Sequence, residues 1–121
     1  MTYRIETDAV GTLAVPADAY YGAQTLRAME NFPISGRTVH PQMIVNLARV
    51  KKAAAFANMR TGALDTAVGN AIAQACDEVI AGGLRDAFPV DGVQGGAGTS
   101  ANMNLNEVLA NRALELLGEE K

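Results

Sequence analysis

The alternation of apolar and polar positions changes period along the chain, and the changes mark its elements. Over residues 3–15 the period is short: Tyr3 and Ile5 share one face and Leu13 and Val15 another, with Thr7–Asp8–Ala9–Val10–Gly11 between them. This predicts a small β-hairpin, stopped by Pro16, which cannot continue a hydrogen-bonded ladder. A short helical piece from about Ala23 to Glu30 carries Arg27, and Phe32–Pro33–Ile34–Ser35–Gly36 reads as a loop because the residue before a proline avoids helix.

From Pro41 to Arg60 the period lengthens to that of a helix, with proline suited to its first turn. Met43, Leu47, Val50, Ala54 and Ala57 recur at spacings of four and three, which predicts a seam packed nearly parallel to neighbouring helices. Gly62 stops this helix, and Asp65 caps a second one over about Thr66–Ala81 with a stripe of Val68, Ile72, Ala75 and Val79. Gly82 and Gly83 end it, so the two should form an antiparallel helical hairpin. Leu84–Phe88 has room for one helical turn before Pro89. A last helix from about Ser100 to Leu117 places Leu105, Leu109, Ala113, Leu116 and Leu117 on a broad apolar face. The expected fold is mainly α: a small N-terminal hairpin, an antiparallel helical hairpin and a further long helix.

Composition narrows the classes of function. At 121 residues the chain is a single domain, and a net charge of −3 offers no basic field for nucleic acid. No apolar run approaches a membrane span, and no charged-then-apolar leader precedes residue 20, so no membrane partner and a cytoplasmic location are expected. The one cysteine, Cys76, excludes an internal disulfide. Aromatics make up only 5% and tryptophan is absent, while alanine is abundant in the helices. Such helices bury little area each, which suggests that packing continues onto something larger.

The chemistry concentrates at Val93–Gln94–Gly95–Gly96–Ala97–Gly98–Thr99–Ser100–Ala101–Asn102–Met103–Asn104. Glycines let a ligand approach backbone N–H groups, a hydroxyl residue suits the N-cap, and the helix behind carries partial positive charge at its start. The stretch is therefore either a glycine-rich connector with an ordinary cap or a corner built to receive an anion. On a helical wheel Asn102 and Asn106 project into the apolar face, with Asn104, Glu107, Asn111 and Glu115 opposite. Buried amides without partners cost about 1–3 kcal/mol each, so Asn102 and Asn106 should either bind a ligand or hold the loop in shape.

Other candidates read more plainly. Cys76 lacks an activating histidine and belongs to the apolar stripe of its helix. His40, the only histidine, suits a surface role and no metal site. Lys51 and Lys52 form a solvated flank, although either could reach an anion. Arg27 suits a structural salt bridge or a substrate contact. No lysine follows the last glycine of the loop and no strand with a distal acid marks a dinucleotide site, so nucleotide binding is not expected. No Ser–His, Cys–His or convergent carboxylate pair is present, so the residues amount to an anion-binding corner without a complete catalytic set.

Read together, these segments resemble the aspartase/fumarase superfamily, within it the aspartate ammonia-lyases, over essentially the whole chain. The resemblance lies in Arg4–Ile5–Glu6, Val15–Pro16–Ala17–Asp18–Ala19–Tyr20–Tyr21–Gly22, Thr25–Leu26–Arg27, Glu30–Asn31–Phe32, Val50–Lys51–Lys52–Ala53–Ala54 and Ala75–Cys76–Asp77–Glu78–Val79–Ile80. Its strongest block is residues 94–112, from Gln94 to Arg112. Fumarases of the superfamily usually carry serine where Ala97 stands and glutamine where Ser100 stands, so these two positions favour aspartase over a class II fumarate hydratase.

The resemblance implies reversible elimination of ammonia from L-aspartate to give fumarate, with no metal or organic cofactor. It assigns substrate contact to Thr99, supported by Gly98, Ser100 and Asn102, with Arg27 as a further candidate. It also implies that residues 1–121 are the N-terminal lyase domain alone. The central helical bundle, the C-terminal domain, the serine base and the homotetramer those domains build would lie elsewhere. The isolated chain would then be inactive. A non-catalytic helical module that self-associates through unfilled apolar faces is the alternative from another class.

Overall fold

The computed structural model describes residues 1–121 and is mainly helical. Strands β1 (Tyr3–Thr7) and β2 (Thr12–Pro16) form an antiparallel hairpin in which Tyr3 pairs with Pro16 and Thr7 with Thr12. Helices α1 (Ala23–Asn31), α2 (Pro41–Arg60), α3 (Thr66–Ile80) and α4 (Thr99–Leu116) follow, with one 3-10 turn at Arg85–Ala87.

The hairpin presents an unusual inner face. Tyr3 and Ile5 point outward, whereas Arg4 and Glu6 lie on the same side as half-buried Leu13 and buried Val15. Both charged residues act as clamps on the segment that follows. The Arg4 guanidinium donates to the carbonyls of Pro16, Ala19 and Tyr21 at 2.9, 2.8 and 2.7 Å, which fixes the path into α1.

The helix ends follow the sequence signals closely. His40 caps α2 by accepting from Gln42 N–H at 3.1 Å, and Asp65 caps α3 by accepting from Val68 N–H at 3.2 Å. Gly82, at φ +91°, turns the chain out of α3 in a conformation that a Cβ atom disfavours. The core joins Ile44 and Ala48 of α2, Ala75, Cys76 and Val79 of α3, Phe88, and Leu105, Val108 and Leu109 of α4.

Three expectations about helix faces need correction. On α2 the buried residues are Ile44, Ala48 and Ala55, while Met43 and Val50 are 48% and 62% exposed and Ala54 and Ala57 are also exposed. Of the 4–3 seam only Leu47 packs against the core, half-buried, and the other four positions face outward. The helix is apolar on two sides, and α3 and α4 occupy the other one. On α3 Ala75 and Val79 are buried as expected, but Val68 sits at the exposed edge.

On α4 the polar positions are transposed. Asn104 is 1% exposed and donates to Ala87 O at 2.9 Å, and Asn111 is buried and donates to Tyr20 O at 2.7 Å. Asn102 and Asn106 are only half-buried, and Leu117 follows the helix as an exposed C-cap. Helix α4 packs against α1, α2 and α3. It has no free polar side, and loop carbonyls satisfy the amides that enter the interior.

Candidate functional site

The N-terminus of α4 is open. Gly96 and Gly98 adopt φ of +98° and +87°, left-handed values that suit glycine, and Gly98 is the N-cap. No side chain caps this end, contrary to the expectation of a hydroxyl cap, because Thr99 and Ser100 already lie inside the first turn. The first loop-to-helix bond runs from Asn102 N–H to Gly98 O at 3.1 Å. The N–H groups of Thr99, Ser100 and Ala101 donate to no protein group. Thr99 is exposed and Ser100 and Asn102 are half-buried, and none of their side-chain polar groups has a protein partner. Gly98, Thr99, Ser100 and Asn102 thus gather unclaimed donors at the positive end of an 18-residue helix.

The approach to this corner is held by a carboxylate that the sequence reading missed. Asp91 is buried, and its Oδ2 accepts from the N–H groups of Ser35 and Gly36 at 2.7 and 2.9 Å. Its Oδ1 accepts from the Ser35 hydroxyl at 2.7 Å and from Val93 N–H at 2.8 Å. These donors, that of Val93 foremost, hold its carboxyl well below the ordinary carboxylate range. Gly92 N–H donates to Arg37 O at 2.8 Å, and the Phe32 ring lies against Gly95, where an added Cβ would sit 3.3 Å from Cε1. One end of the glycine loop is therefore anchored to residues 32–37. Only Asp91's position between Val90 and the glycine stretch could have signalled this role.

Arg27 lies in a different environment. Its guanidinium grips the Asp8 carboxylate through two nitrogens and also donates to Gly11 O at 3.2 Å. The pair holds the Asp8 carboxyl below its usual range and lifts the arginine. Of the two roles expected for Arg27, a salt bridge or a substrate contact, the fold shows the salt bridge, which ties α1 to the turn of the hairpin.

Glu107, placed outward by the helical wheel, instead reaches the start of α1. Its carboxylate accepts from the N–H groups of Gly22, Gln24 and Thr25 at 2.7, 2.7 and 3.2 Å and from the Thr25 hydroxyl at 2.7 Å. Glu6 accepts from Ala23 N–H beside it at 2.8 Å. A Cβ at Gly22 would meet Glu6 Oε2 at 2.7 Å and Glu107 Cδ at 3.0 Å, so a larger residue there would push these carboxylates off the donors they hold.

The remaining candidates are structural. Cys76 is fully buried, and burial pushes its thiol up to about 11, far from a reactive thiolate. His40 caps α2, and Lys52 pairs with Asp77 at 2.6 Å. No group of three or more His, Cys, Asp or Glu residues converges as a metal site would require, and no helix is long and apolar enough to cross a membrane.

Comparison with known proteins places this architecture. The lyase family matches residues 11–121, and the chain belongs to it. An aspartate ammonia-lyase of Bacillus sp is 62% identical over 118 residues, and that of Escherichia coli K12 is 56% identical over 121. A class II fumarate hydratase of Halobacterium salinarum is 59% identical over 118 residues. Each alignment covers 98% of this chain and 25% of the relative, so the chain spans about a quarter of the length of these proteins. Among solved structures, the fumarate lyase:delta crystallin of Brucella melitensis superposes with a TM-score of 0.96 at 51% identity, covering 98% of this chain and 28% of that one. The class II fumarase of Schistosoma mansoni superposes at 0.94 with 40% identity, covering 98% and 26%. The expected mainly helical lyase fold is thereby shown.

Proposed function

We propose that this chain is the N-terminal part of an aspartate ammonia-lyase and contributes one wall of its dicarboxylate pocket. The observation that carries the reading is the open start of α4, where the N–H groups of Thr99, Ser100 and Ala101 and the side chains of Thr99, Ser100 and Asn102 have no protein partner. In the elimination a base removes a proton from the carbon next to the side-chain carboxylate of L-aspartate. Ammonia then leaves and fumarate forms. Negative charge accumulates on the carboxylate oxygens before the leaving group departs, and fixed donors at a helix N-terminus stabilise it there. Gly98 clears the approach, Thr99 supplies a hydroxyl and an N–H, and Ser100 and Asn102 extend the contact. Arg27 acts from outside this wall, holding α1 to the hairpin through Asp8.

The test is kinetic. In the full-length enzyme Thr99→Ala should lower kcat/KM for L-aspartate by about two to three orders of magnitude, as loss of a transition-state donor does. Unchanged kinetics would remove Thr99 from the site. A second reading, fumarate hydratase, is favoured by the 59% identity to the Halobacterium salinarum protein. Assays of the full-length protein on L-aspartate and L-malate side by side separate the two, and turnover of L-aspartate is expected on account of Ala97 and Ser100.

A further inference from the structure

Asp91 commits a buried carboxylate to joining two segments that lie far apart in the chain. A turn at residues 91–93 needs only the bond from Val93 N–H to Oδ1 at 2.8 Å. The other three donors, the Ser35 and Gly36 N–H groups and the Ser35 hydroxyl, come from 56 or 55 residues earlier, at 2.7, 2.9 and 2.7 Å. The two segments also meet through their backbones. Val39 N–H donates to Val90 O at 3.3 Å and Gly92 N–H to Arg37 O at 2.8 Å. Residues 32–39 are themselves fixed at both ends, since Phe32 is the C-cap of α1 and His40 the N-cap of α2. They make a firm anchor.

Beyond this anchor the loop is held by little. The Gln94 side chain donates back to Asp91 O, and Gly95 rests on the Phe32 ring. Residues 95–99 are all exposed, and the N–H groups of Gly96, Ala97 and Gly98 donate to no protein group. Gly96 and Gly98 stand in the left-handed region with nothing within 4 Å of where a Cβ would lie, so no packing restrains rotation there. Thr99 follows directly, in a first turn tied to the loop by the single bond from Asn102 N–H to Gly98 O. Where Thr99 and its neighbours point therefore depends on how the chain enters the loop, and that is set at Asp91. We infer that Asp91 is a positioning residue: by pinning residues 91–93 to Ser35 and Gly36, it keeps the glycine loop and Thr99 aligned as one wall of donors. It acts through the loop and not on the ligand, and the inference rests on the dicarboxylate pocket proposed above. A misplacement of about 1 Å at such a wall can cost on the order of a hundredfold in rate, which gives a clamp outside the corner its leverage.

The experiment is a double-mutant cycle in the full-length enzyme, assayed on L-aspartate at a temperature where circular dichroism shows each variant folded. Asp91→Asn keeps the shape of the side chain but turns one acceptor oxygen into a donor, set against N–H groups that also donate. It should lower kcat by about ten- to a hundredfold with KM nearly unchanged, the same split expected of Thr99→Ala. In the Thr99→Ala background the same change should cost no more than about threefold, because the wall it aligns has already lost its hydroxyl. Loss of stability alone would act equally in both backgrounds. Ser35→Ala removes one donor at an exposed position and should give a smaller loss with the same split, and it carries the test if Asp91→Asn does not fold. Wild-type kcat in folded Asp91→Asn (or, failing that, in Ser35→Ala), an effect confined to KM, or losses that multiply with that of Thr99→Ala would overturn the inference while leaving the pocket in place. Unchanged kinetics for Thr99→Ala would overturn the pocket itself, and this inference with it.

Discussion

Glu107 lies in the middle of α4, yet its carboxylate serves the start of α1, taking three backbone N–H groups that the helix itself cannot satisfy and the Thr25 hydroxyl as well. Truncation to alanine strands those donors and withdraws a negative charge from the positive end of α1. Glu107→Ala should destabilise the fold by about 1–3 kcal/mol. In thermal unfolding followed by circular dichroism, that is a fall in midpoint on the order of 10 °C. Glu107→Gln, which keeps the shape and one acceptor, should lose less. Equal midpoints for all three proteins would show that the contact is idle.

Asp91 makes the corresponding prediction in pH. Its folded-state carboxyl is held below the ordinary range, so it binds protons more readily in the unfolded chain. Its contribution is fully present above the unfolded value of about 4 and is lost as pH falls through the depressed folded value. Urea midpoints across the acid range should therefore decline for the wild type, with a shallower decline for Asp91→Asn, which should already be less stable at neutral pH. Parallel curves for the two proteins would contradict the assignment. Neither residue was legible as an anchor beforehand. Glu107 stands within the recognisable block of α4, but its partners lie more than eighty residues away in sequence, and no local spacing encodes that distance.

Among the elements, helix limits were legible where punctuation is strong. Pro41 and Gly62 bracket α2, Asp65 and Gly82 bracket α3, and each predicted boundary falls within a residue or two of the observed one. The helix phase was harder to read. Two apolar rows run along α2, displaced around its axis, and period alone does not say which meets the rest of the protein. The structure turns Ile44 inward, with 6% exposure, and Met43 outward with 48%. A pair of truncations measures the difference. Ile44→Ala should cost about 2–5 kcal/mol as a core cavity, and Met43→Ala no more than about 0.5 kcal/mol. Chemical denaturation of the two variants checks the order, and a larger loss at Met43 would show that the seam is already covered in solution. Helix α4 shows a related limit: amides at two positions on its nominal outer side are drawn inward because packing on three sides leaves loop carbonyls as their partners.

For the whole molecule, the question is whether 121 residues that share a quarter of their relatives' length can carry out an elimination alone. The proposed elimination needs a group free to take a proton beside the proposed anion-binding corner. Three carboxylates are engaged elsewhere: Asp8 with Arg27, Asp91 with the backbone of residues 35–36 and 93, and Glu107 with α1. The only histidine has its Nδ1 occupied in capping α2, and the only cysteine is fully buried with its thiol raised to about 11. None of these engaged or buried groups is free to take a proton beside the carboxylate corner proposed at Gly98–Asn102. Purified chain mixed with L-aspartate should therefore produce no fumarate detectable by ultraviolet absorbance, at neutral or alkaline pH. Turnover that survives Cys76→Ala and His40→Ala would show that this chain carries a base of its own, and the proposal that the base lies elsewhere in the full-length enzyme would fail with it.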